Sequence, residues 1–232
     1  MLKFDNKILI SFGMKSKVYL IEKNNKKYIM KVLLDKNDNE YNTCAIINNL
    51  DNKYFVKFIE KIDNCIIYDL FEGDTLEDFK YKIDKDKIML VVKQLVDFFI
   101  LLRNKGYCYY DLSLNNILID DNYNIKVIDY GSLYKIENKP TNLVGTYGFV
   151  SPEYFKDNIL DYEKNYVFSL GIILFVLYFK YEIFPKSNDY FKKCWKWCQE
   201  IDCNRNNCLS KYLDKKLIDN ILLKKIILNC LN

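Results

Sequence analysis

The stretch GYCYYDLSLNNILID, residues 106–120, places an acid and an amide, Asp111 and Asn116, five positions apart. Because the whole chain contains no histidine, serine–histidine–acid and cysteine–histidine hydrolases, histidine-ligated metal enzymes and imidazole bases are excluded. Carboxylates, lysines, tyrosines and cysteines remain as proton acceptors. An isolated Asp–Asn pair is usually turn chemistry, so a chemical role for this pair requires partners elsewhere in the chain.

The composition indicates a folded intracellular protein. With 232 residues, of which 50% are hydrophobic, the chain can form one large or two-lobed domain with a substantial core. Its net charge of +4 is too small to indicate a dedicated nucleic-acid or membrane surface. The N-terminal segment MLKFDNKILI lacks a signal-peptide layout, and eight cysteines without such a signal indicate reduced thiols in a cytosolic compartment. We therefore expect a monomer that contacts neither nucleic acid nor a membrane.

Two segments allow an alternative interpretation. Four cysteines cluster within CWKWCQEIDCNRNNC: Cys194, Cys198, Cys203 and Cys208. They could ligate a structural zinc ion, but the lack of a Cys-x-x-Cys pair favours ordinary thiols. The apolar run YVFSLGIILFVLYF, residues 166–179, is shorter than the roughly 20 residues that a membrane span needs. A buried core helix is therefore favoured for it.

The first third of the chain has the pattern of a small β-rich unit. Short β-branched and aromatic runs, separated by polar turns such as KNNKK and KIDN, predict five antiparallel strands. One helix, predicted over residues 38–50, follows the third strand. We assign residues 1–70 to this N-terminal lobe.

Beyond Thr75 the apolar residues adopt helical spacing. A long helix is predicted to end at Gly106, a residue type common just past helix C-termini. A strand over residues 124–128 follows, and helices are predicted after an irregular segment. The fold class is therefore α+β, with a small antiparallel β lobe that carries one helix and a larger, mainly helical lobe over residues 71–232.

Three motifs in the larger lobe resemble, in the same order, those of the eukaryotic-type protein kinase family. YYDLSLNNIL resembles the catalytic loop, IDYG resembles the Asp-Phe-Gly motif, and GTYGFVSPEY resembles the end of the activation segment. The last motif distinguishes protein kinases from small-molecule kinases of related fold. The resemblance covers nearly the whole chain, which would be shortened at its C-terminal side relative to the family. It implies a two-lobed protein-kinase-like fold and ATP- and Mg²⁺-dependent phosphoryl transfer to serine or threonine of a protein substrate.

The resemblance assigns the chemistry to four residues. Asp111 is the expected catalytic base, and Asn116 and Asp129 are the expected Mg²⁺ ligands. Lys31 is expected to contact the α- and β-phosphates of ATP. Phosphoryl transfer depends on positioning and charge neutralisation, so these four side chains must converge in the folded chain.

The small lobe resembles the family's nucleotide site less closely. In ISFGMKSKVYL, only the middle of three glycine positions is a glycine, so a weaker grip on phosphate is expected. The helix glutamate that pairs with Lys31 is assigned to Glu40, although the commonest loop length would place Thr43 there. Tyr68 is expected at the gatekeeper position, and Ile29 where a smaller residue roofs the adenine. The residues assigned to nucleotide binding are Ile10, Ser11, Gly13, Ser16, Val18, Ile29, Lys31, Glu40, Tyr68, Asp69, Phe71 and Leu118.

Several departures from the family favour a second hypothesis, a pseudokinase that binds partners without catalysis. Tyr109 and Tyr110 replace the His-Arg pair before the catalytic aspartate. Ser113 replaces a phosphate-contacting lysine, and Tyr166 replaces an aspartate that braces the catalytic loop. Retention of all four residues assigned to the chemistry nevertheless favours an active kinase.

Overall fold

The structure, a computed structural model, describes most of the chain, including at least part of each motif that resembles the kinase family. The described residues are 4–13, 15–35, 39–50, 53–138, 140, 144–151, 153, 161–180 and 221–231. The cysteine cluster between residues 194 and 208 lies outside these ranges, so the zinc and thiol interpretations of it both stay predictions.

A five-stranded antiparallel sheet forms the small lobe, with strand order β1-β2-β3-β5-β4. The strands are β1 (Asn6–Phe12), β2 (Ser16–Lys23), β3 (Lys26–Leu33), β4 (Phe58–Ile62) and β5 (Cys65–Asp69). The β2–β3 hairpin turns at Asn24 and Asn25, with φ of 54° and 59°, and the β4–β5 hairpin turns at Asp63, with φ of 55°. Asn and Asp tolerate this left-handed backbone better than other non-glycine residues. The predicted sheet is confirmed.

The helix after the third strand is shorter than predicted. Helix α1 (Asn39–Thr43) stops well before residue 50, and a separate 3₁₀ helix spans Ile46–Asn49. One reason lies in Asn48, whose side chain accepts from Phe58 N at 3.1 Å and donates to Phe58 O at 2.8 Å. This tertiary contact with β4 replaces a continuous helix, which Asn, Thr and Ile favour only weakly.

In the described part of the larger lobe, helices predominate, and two small sheets lie near the lobe junction. Its helices are α2 (Leu76–Phe79), α3 (Lys85–Asn104), α4 (Tyr162–Phe179) and α5 (Ile221–Leu231). Its strands are β6 (Asp74–Thr75), β7 (Tyr107–Tyr109), β8 (Ile117–Ile119), β9 (Ile125–Val127) and β10 (Leu133–Lys135). Strands β6, β8 and β9 form one sheet, and β7 pairs with β10. Beyond α3 the chain turns at Gly106, whose φ of 78° suits glycine.

Helix α4 is the central element of the larger lobe. Almost every residue from Asn165 to Leu177 is buried, and the helix packs against α3 and α5. A Cβ atom at Gly171 would lie 2.6 Å from Cys230 Cβ, so glycine allows α5 to approach closely. The predicted core helix is thus observed, and none of the described helices has the length and apolar character needed to cross a membrane.

Candidate active site

The short strands β8 and β9 bring the two motif acids and the amide together. Ile117 pairs with Val127 in the β8–β9 ladder, so Asn116 and Asp129 lie at neighbouring strand ends. Ile128 N donates to Asn116 O at 2.9 Å, and Asn116 Nδ2 donates to Asp111 O at 2.9 Å. The structure therefore places these three predicted residues around one cleft.

Asp129 occupies a left-handed backbone position, with φ of 64°, and its side chain is 45% exposed to the cleft. Its Oδ1 lies 3.0 Å from Lys31 Nζ. Burial acts to raise the pKa of Asp129, but the contacts with Lys31, together with smaller contributions from Glu40 and Lys15, outweigh this effect and lower it. Asp129 is therefore an anion at neutral pH, as a metal ligand must be.

Lys31 is held between two carboxylates. Its ammonium donates to Glu40 Oε2 as well as to Asp129, and the Tyr68 hydroxyl donates to Glu40 Oε1 at 2.9 Å. Burial acts to lower the pKa of Lys31, but the two carboxylates raise it, so the ammonium stays charged. Burial raises the pKa of Glu40, which is 2% exposed, while Lys31 opposes that rise. Removing one partner of such a buried pair typically costs about 3–5 kcal/mol.

Helix α1 presents Glu40, and not Thr43, to Lys31. Thr43 Oγ1 instead donates to Tyr130 O at 2.9 Å, and Asn39 Nδ2 donates to Gly131 O at 3.0 Å and Leu133 O at 2.8 Å. These bonds fix the short helix to the segment that follows Asp129. The position of Glu40 is thus coupled to the position of Asp129.

Two tyrosines occupy motif positions where the family has other residues. The Tyr130 hydroxyl accepts from Val56 N and donates to Val127 O, each at 2.9 Å. The Tyr109 hydroxyl donates to Ile128 O at 2.8 Å. Both side chains are buried, and burial raises the pKa of each phenol, so both remain neutral donors. They fasten β9 and Asp129 to the aromatic core at the lobe junction.

Asp111 is positioned by a hydrogen bond from the activation segment. Thr146 Oγ1 donates to Asp111 Oδ1 at 2.5 Å. Burial raises the pKa of Asp111, and the hydrogen bonds from Thr146 and Asn116 oppose that rise. The carboxylate is therefore a stronger proton acceptor than an exposed aspartate, because a raised pKa strengthens the base.

Replacing Thr146 by valine should move the acid limb of the kcat/KM profile to higher pH. The Thr146 hydroxyl lowers the pKa of Asp111 by donating to its ionised form, so its loss raises that pKa and protonates the base at a higher pH. The measurement is the pH profile of kcat/KM for Thr146→Val beside Thr75→Val, whose hydroxyl caps α2 by contact with Asp78. A limb that stays in place, or moves to lower pH, contradicts this assignment.

The residues assigned to the nucleotide pocket differ in their place on the sheet and in their exposure. Val18 is the β2 partner of Lys31, and Ile29 is opposite Tyr68 in the β3–β5 pair. Phe71 and Leu118, like Ile29, are half-buried apolar residues packed against the core. Such partly exposed apolar surface can accept a planar base. Ile10 is 53% exposed on β1.

Other backbone groups of the pocket are already engaged. Asp69 N donates to Lys57 O at 2.9 Å, and Gly13 N donates to Ser16 O at 2.9 Å, closing the β1–β2 turn. Among the described turn residues, neither Gly13 nor the two serines, Ser11 and Ser16, adopts positive φ. The serines therefore introduce no positive-φ strain at these two positions, and the weaker phosphate grip expected from the sequence stays a prediction.

Ser113 and Tyr166 differ most from the family pattern. Ser113 is 0% exposed, and within the described part of the chain its hydroxyl has no hydrogen-bond partner. Because serine is uncharged, it cannot supply the positive charge of the lysine that the family has at this position. Tyr166 donates its hydroxyl to Leu95 O at 2.7 Å, within α3, and does not brace the catalytic loop. The neighbouring Asn165 does so, because its Nδ2 donates to Tyr110 O at 3.2 Å. In the sequence, the only indication of this role of Asn165 is that an amide side chain stands at the start of an apolar helix.

The chemistry of the cleft fits a nucleotide-bound magnesium ion. Because Asn116 uses Nδ2 to donate to Asp111 O, that bond leaves its amide oxygen able to act as a ligand. An amide oxygen and the Asp129 carboxylate are hard ligands of the kind that Mg²⁺ prefers. The described residues contain no group of three or more His, Cys, Asp or Glu side chains that could hold a metal alone.

Comparison with known proteins identifies the same family that the sequence motifs resemble. The protein kinase domain family matches residues 4–228 of the chain. Serine/threonine-protein kinase cds1 of Schizosaccharomyces pombe is 29% identical over 48% of this chain and 27% of its own length. CBL-interacting serine/threonine-protein kinase 15 of Arabidopsis thaliana is 34% identical over 50% of this chain and 29% of its own length. CBL-interacting protein kinase 5 of Oryza sativa subsp. japonica is 29% identical over 63% and 34%, respectively. The chain thus spans about a third or less of the length of these relatives.

Proposed function

The chain belongs to the protein kinase family, and we propose that it is an active enzyme which transfers the γ-phosphate of Mg²⁺-bound ATP to protein serine or threonine hydroxyls. The observation that carries the proposal is the convergence of Lys31, Asp111, Asn116 and Asp129 on one cleft. Residues 1–70 would form the N-terminal lobe and residues 71–232 the C-terminal lobe of this single kinase domain.

Each polar side chain has one role in the proposed reaction. Lys31, held by Glu40, would orient the α- and β-phosphates, and Asn116 and Asp129 would hold the metal. When bound, Mg²⁺ neutralises phosphate charge. Asp111 accepts the proton of the substrate hydroxyl as its oxygen bonds to the γ-phosphorus and the bond to ADP breaks.

Two observations support a serine/threonine substrate. Thr146 lies in the motif that resembles the end of the activation segment, where serine/threonine kinases keep a threonine beside the catalytic aspartate, and its hydroxyl contacts the Asp111 carboxylate directly. The relatives named above include serine/threonine-protein kinases. Since the chain spans only part of those proteins, their activities are an argument for this class and not for a particular substrate.

A pseudokinase is the second candidate, and Ser113 is the observation that favours it. This uncharged, buried residue stands where a phosphate-contacting lysine is expected. Against this candidate, the chain buries Lys31 together with Glu40 and holds Asp129 beside them. A buried ion pair contributes little net stability compared with apolar packing, so a role in partner binding that uses no nucleotide gives no physical reason to keep it.

The test combines phosphotransfer with nucleotide binding. The purified chain is incubated with Mg-ATP and a generic basic protein, and phosphorylated residues are identified by mass spectrometry. We expect new phosphoserine or phosphothreonine, and a thermal stabilisation by Mg-ATP that chelation abolishes. A ligand at a hundredfold excess over its Kd adds about 2.7 kcal/mol of stability. Stabilisation without phosphotransfer identifies a pseudokinase, and the absence of both rejects nucleotide-dependent function.

A further inference from the structure

Asn165 connects the catalytic loop to the activation segment from one buried position. Its side chain, on the first turn of α4, is 1% exposed. Nδ2 donates to Tyr110 O at 3.2 Å, and Oδ1 accepts from Ser151 N at 2.9 Å. Tyr110 directly precedes Asp111, so one amide binds both the backbone next to Asp111 and the backbone of the segment that contains Thr146.

The helix that carries Asn165 is itself firmly anchored. Asp161 caps it by accepting from Glu163 N at 3.0 Å and Lys164 N at 3.1 Å. One turn further on, Ser169 Oγ donates to Phe149 O at 2.6 Å. The segment that contains Thr146 is therefore attached to α4 at Phe149 and again at Ser151.

The adjacent Tyr166 cannot take this part. Its hydroxyl donates to Leu95 O at 2.7 Å, and its ring lies 4.6 Å from the ring of Phe99, centroid to centroid. Both partners belong to α3. The residue aligned with the family's bracing aspartate thus anchors the helix in the core.

We infer that Asn165 is a positioning residue of this active site. Its two hydrogen bonds keep Asp111 and the segment around Thr146 in fixed positions relative to each other. The inference rests on the proposed phosphotransfer. The substrate hydroxyl must reach Asp111 beside this segment, because Thr146 contacts Asp111 directly. Asn165 therefore acts on the substrate end of the reaction and leaves the ATP-binding residues of β3 and α1 unchanged.

The chemistry of the two bonds explains why an amide is needed. One bond requires a donor toward a carbonyl oxygen, and the other requires an acceptor toward an N–H. Asparagine supplies both from one short side chain. An ionised aspartate would place a carboxylate oxygen against Tyr110 O, so Asn165→Asp should be as harmful as Asn165→Ala despite its equal size.

The experiment compares Asn165→Ala and Asn165→Asp with Tyr166→Phe as the matched control. Tyr166→Phe removes one buried hydrogen bond from the neighbouring residue of the same helix. Its melting temperature should therefore fall by an amount of the same order as in the Asn165 variants. A misplacement of about 1 Å at a reacting group can cost 10²-fold. We expect kcat to fall at least about tenfold in both Asn165 variants, with a higher KM for the protein substrate. The Kd for Mg-ATP should change less than about twofold, and Tyr166→Phe should retain its kcat.

A second readout does not depend on activity. Hydrogen exchange of the backbone around Ser151 and Tyr110 should accelerate in Asn165→Asp, and in Asn165→Ala where it folds, but not in Tyr166→Phe. Unchanged exchange, or a kcat equal to that of Tyr166→Phe, overturns the inference. A wild-type chain without phosphotransfer rejects the proposed function instead, and the exchange result then decides separately whether Asn165 holds the two segments.

Discussion

Asp111→Asn should lower kcat by about 10²–10⁴-fold while the affinity for Mg-ATP stays near that of the wild type. The substitution removes the proton acceptor but keeps the shape of the side chain and an oxygen that can accept from Thr146. Lys31 and Asp129 stay in contact, because their ion pair does not involve Asp111. The loss should therefore appear in the chemical step alone.

The measurement is kcat with a protein substrate together with the Kd for Mg-ATP, and Asp120→Asn is the matched control. Asp120 lies on the same segment but caps a turn, by accepting from Asn122 N and Asn124 N. The same chemical change at residue 120 should leave kcat near wild type. If Asp111→Asn keeps more than about a tenth of the wild-type rate, Asp111 is not the base.

The sheet was predictable from the sequence because its turns are encoded locally. Asn24, Asn25 and Asp63 take left-handed backbone positions that few residue types tolerate, and the strands between them have strong β pattern. The helix over residues 38–50 was wrong in length for the opposite reason. It is interrupted by the contact of Asn48 with Phe58, which joins residues whose relation no local pattern expresses.

The candidate site shows the same division. Asp111, Asn116 and Asp129 were recognisable because each lies in a contiguous motif, and the structure brings them together. Asn39 and Asn165 were missed, since each acts on a backbone carbonyl far away in sequence, at Leu133 and Tyr110 respectively. A single polar residue with a distant backbone partner leaves no spacing to detect.

Asp129→Asn should lower kcat by about 10²–10³-fold or more and also abolish the thermal stabilisation by Mg-ATP. A metal ion contributes several kcal/mol of charge stabilisation to phosphoryl transfer, and about 1.36 kcal/mol corresponds to each tenfold in rate. The neutral amide weakens the metal site and removes one of the two carboxylates that hold Lys31. Asparagine tolerates the left-handed backbone at φ of 64°, so the fold around residue 129 should survive.

A comparison of Asp129→Asn with Asp111→Asn separates an effect on Mg-ATP binding from an effect on the chemical step. Melting temperature is measured with and without Mg-ATP, over a range of Mg²⁺ concentrations, for Asp129→Asn beside Asp111→Asn. We expect the shift to persist in Asp111→Asn and to vanish or require much more Mg²⁺ in Asp129→Asn. Because the Asp111 carboxylate makes its bond to Thr146 and Asp129 pairs with Lys31, the two acids have separate side-chain partners. If Asp129→Asn retains both the wild-type rate and the wild-type change in melting temperature with Mg-ATP, the metal is held elsewhere. The assignment of Asn116 as a metal ligand would then be wrong as well.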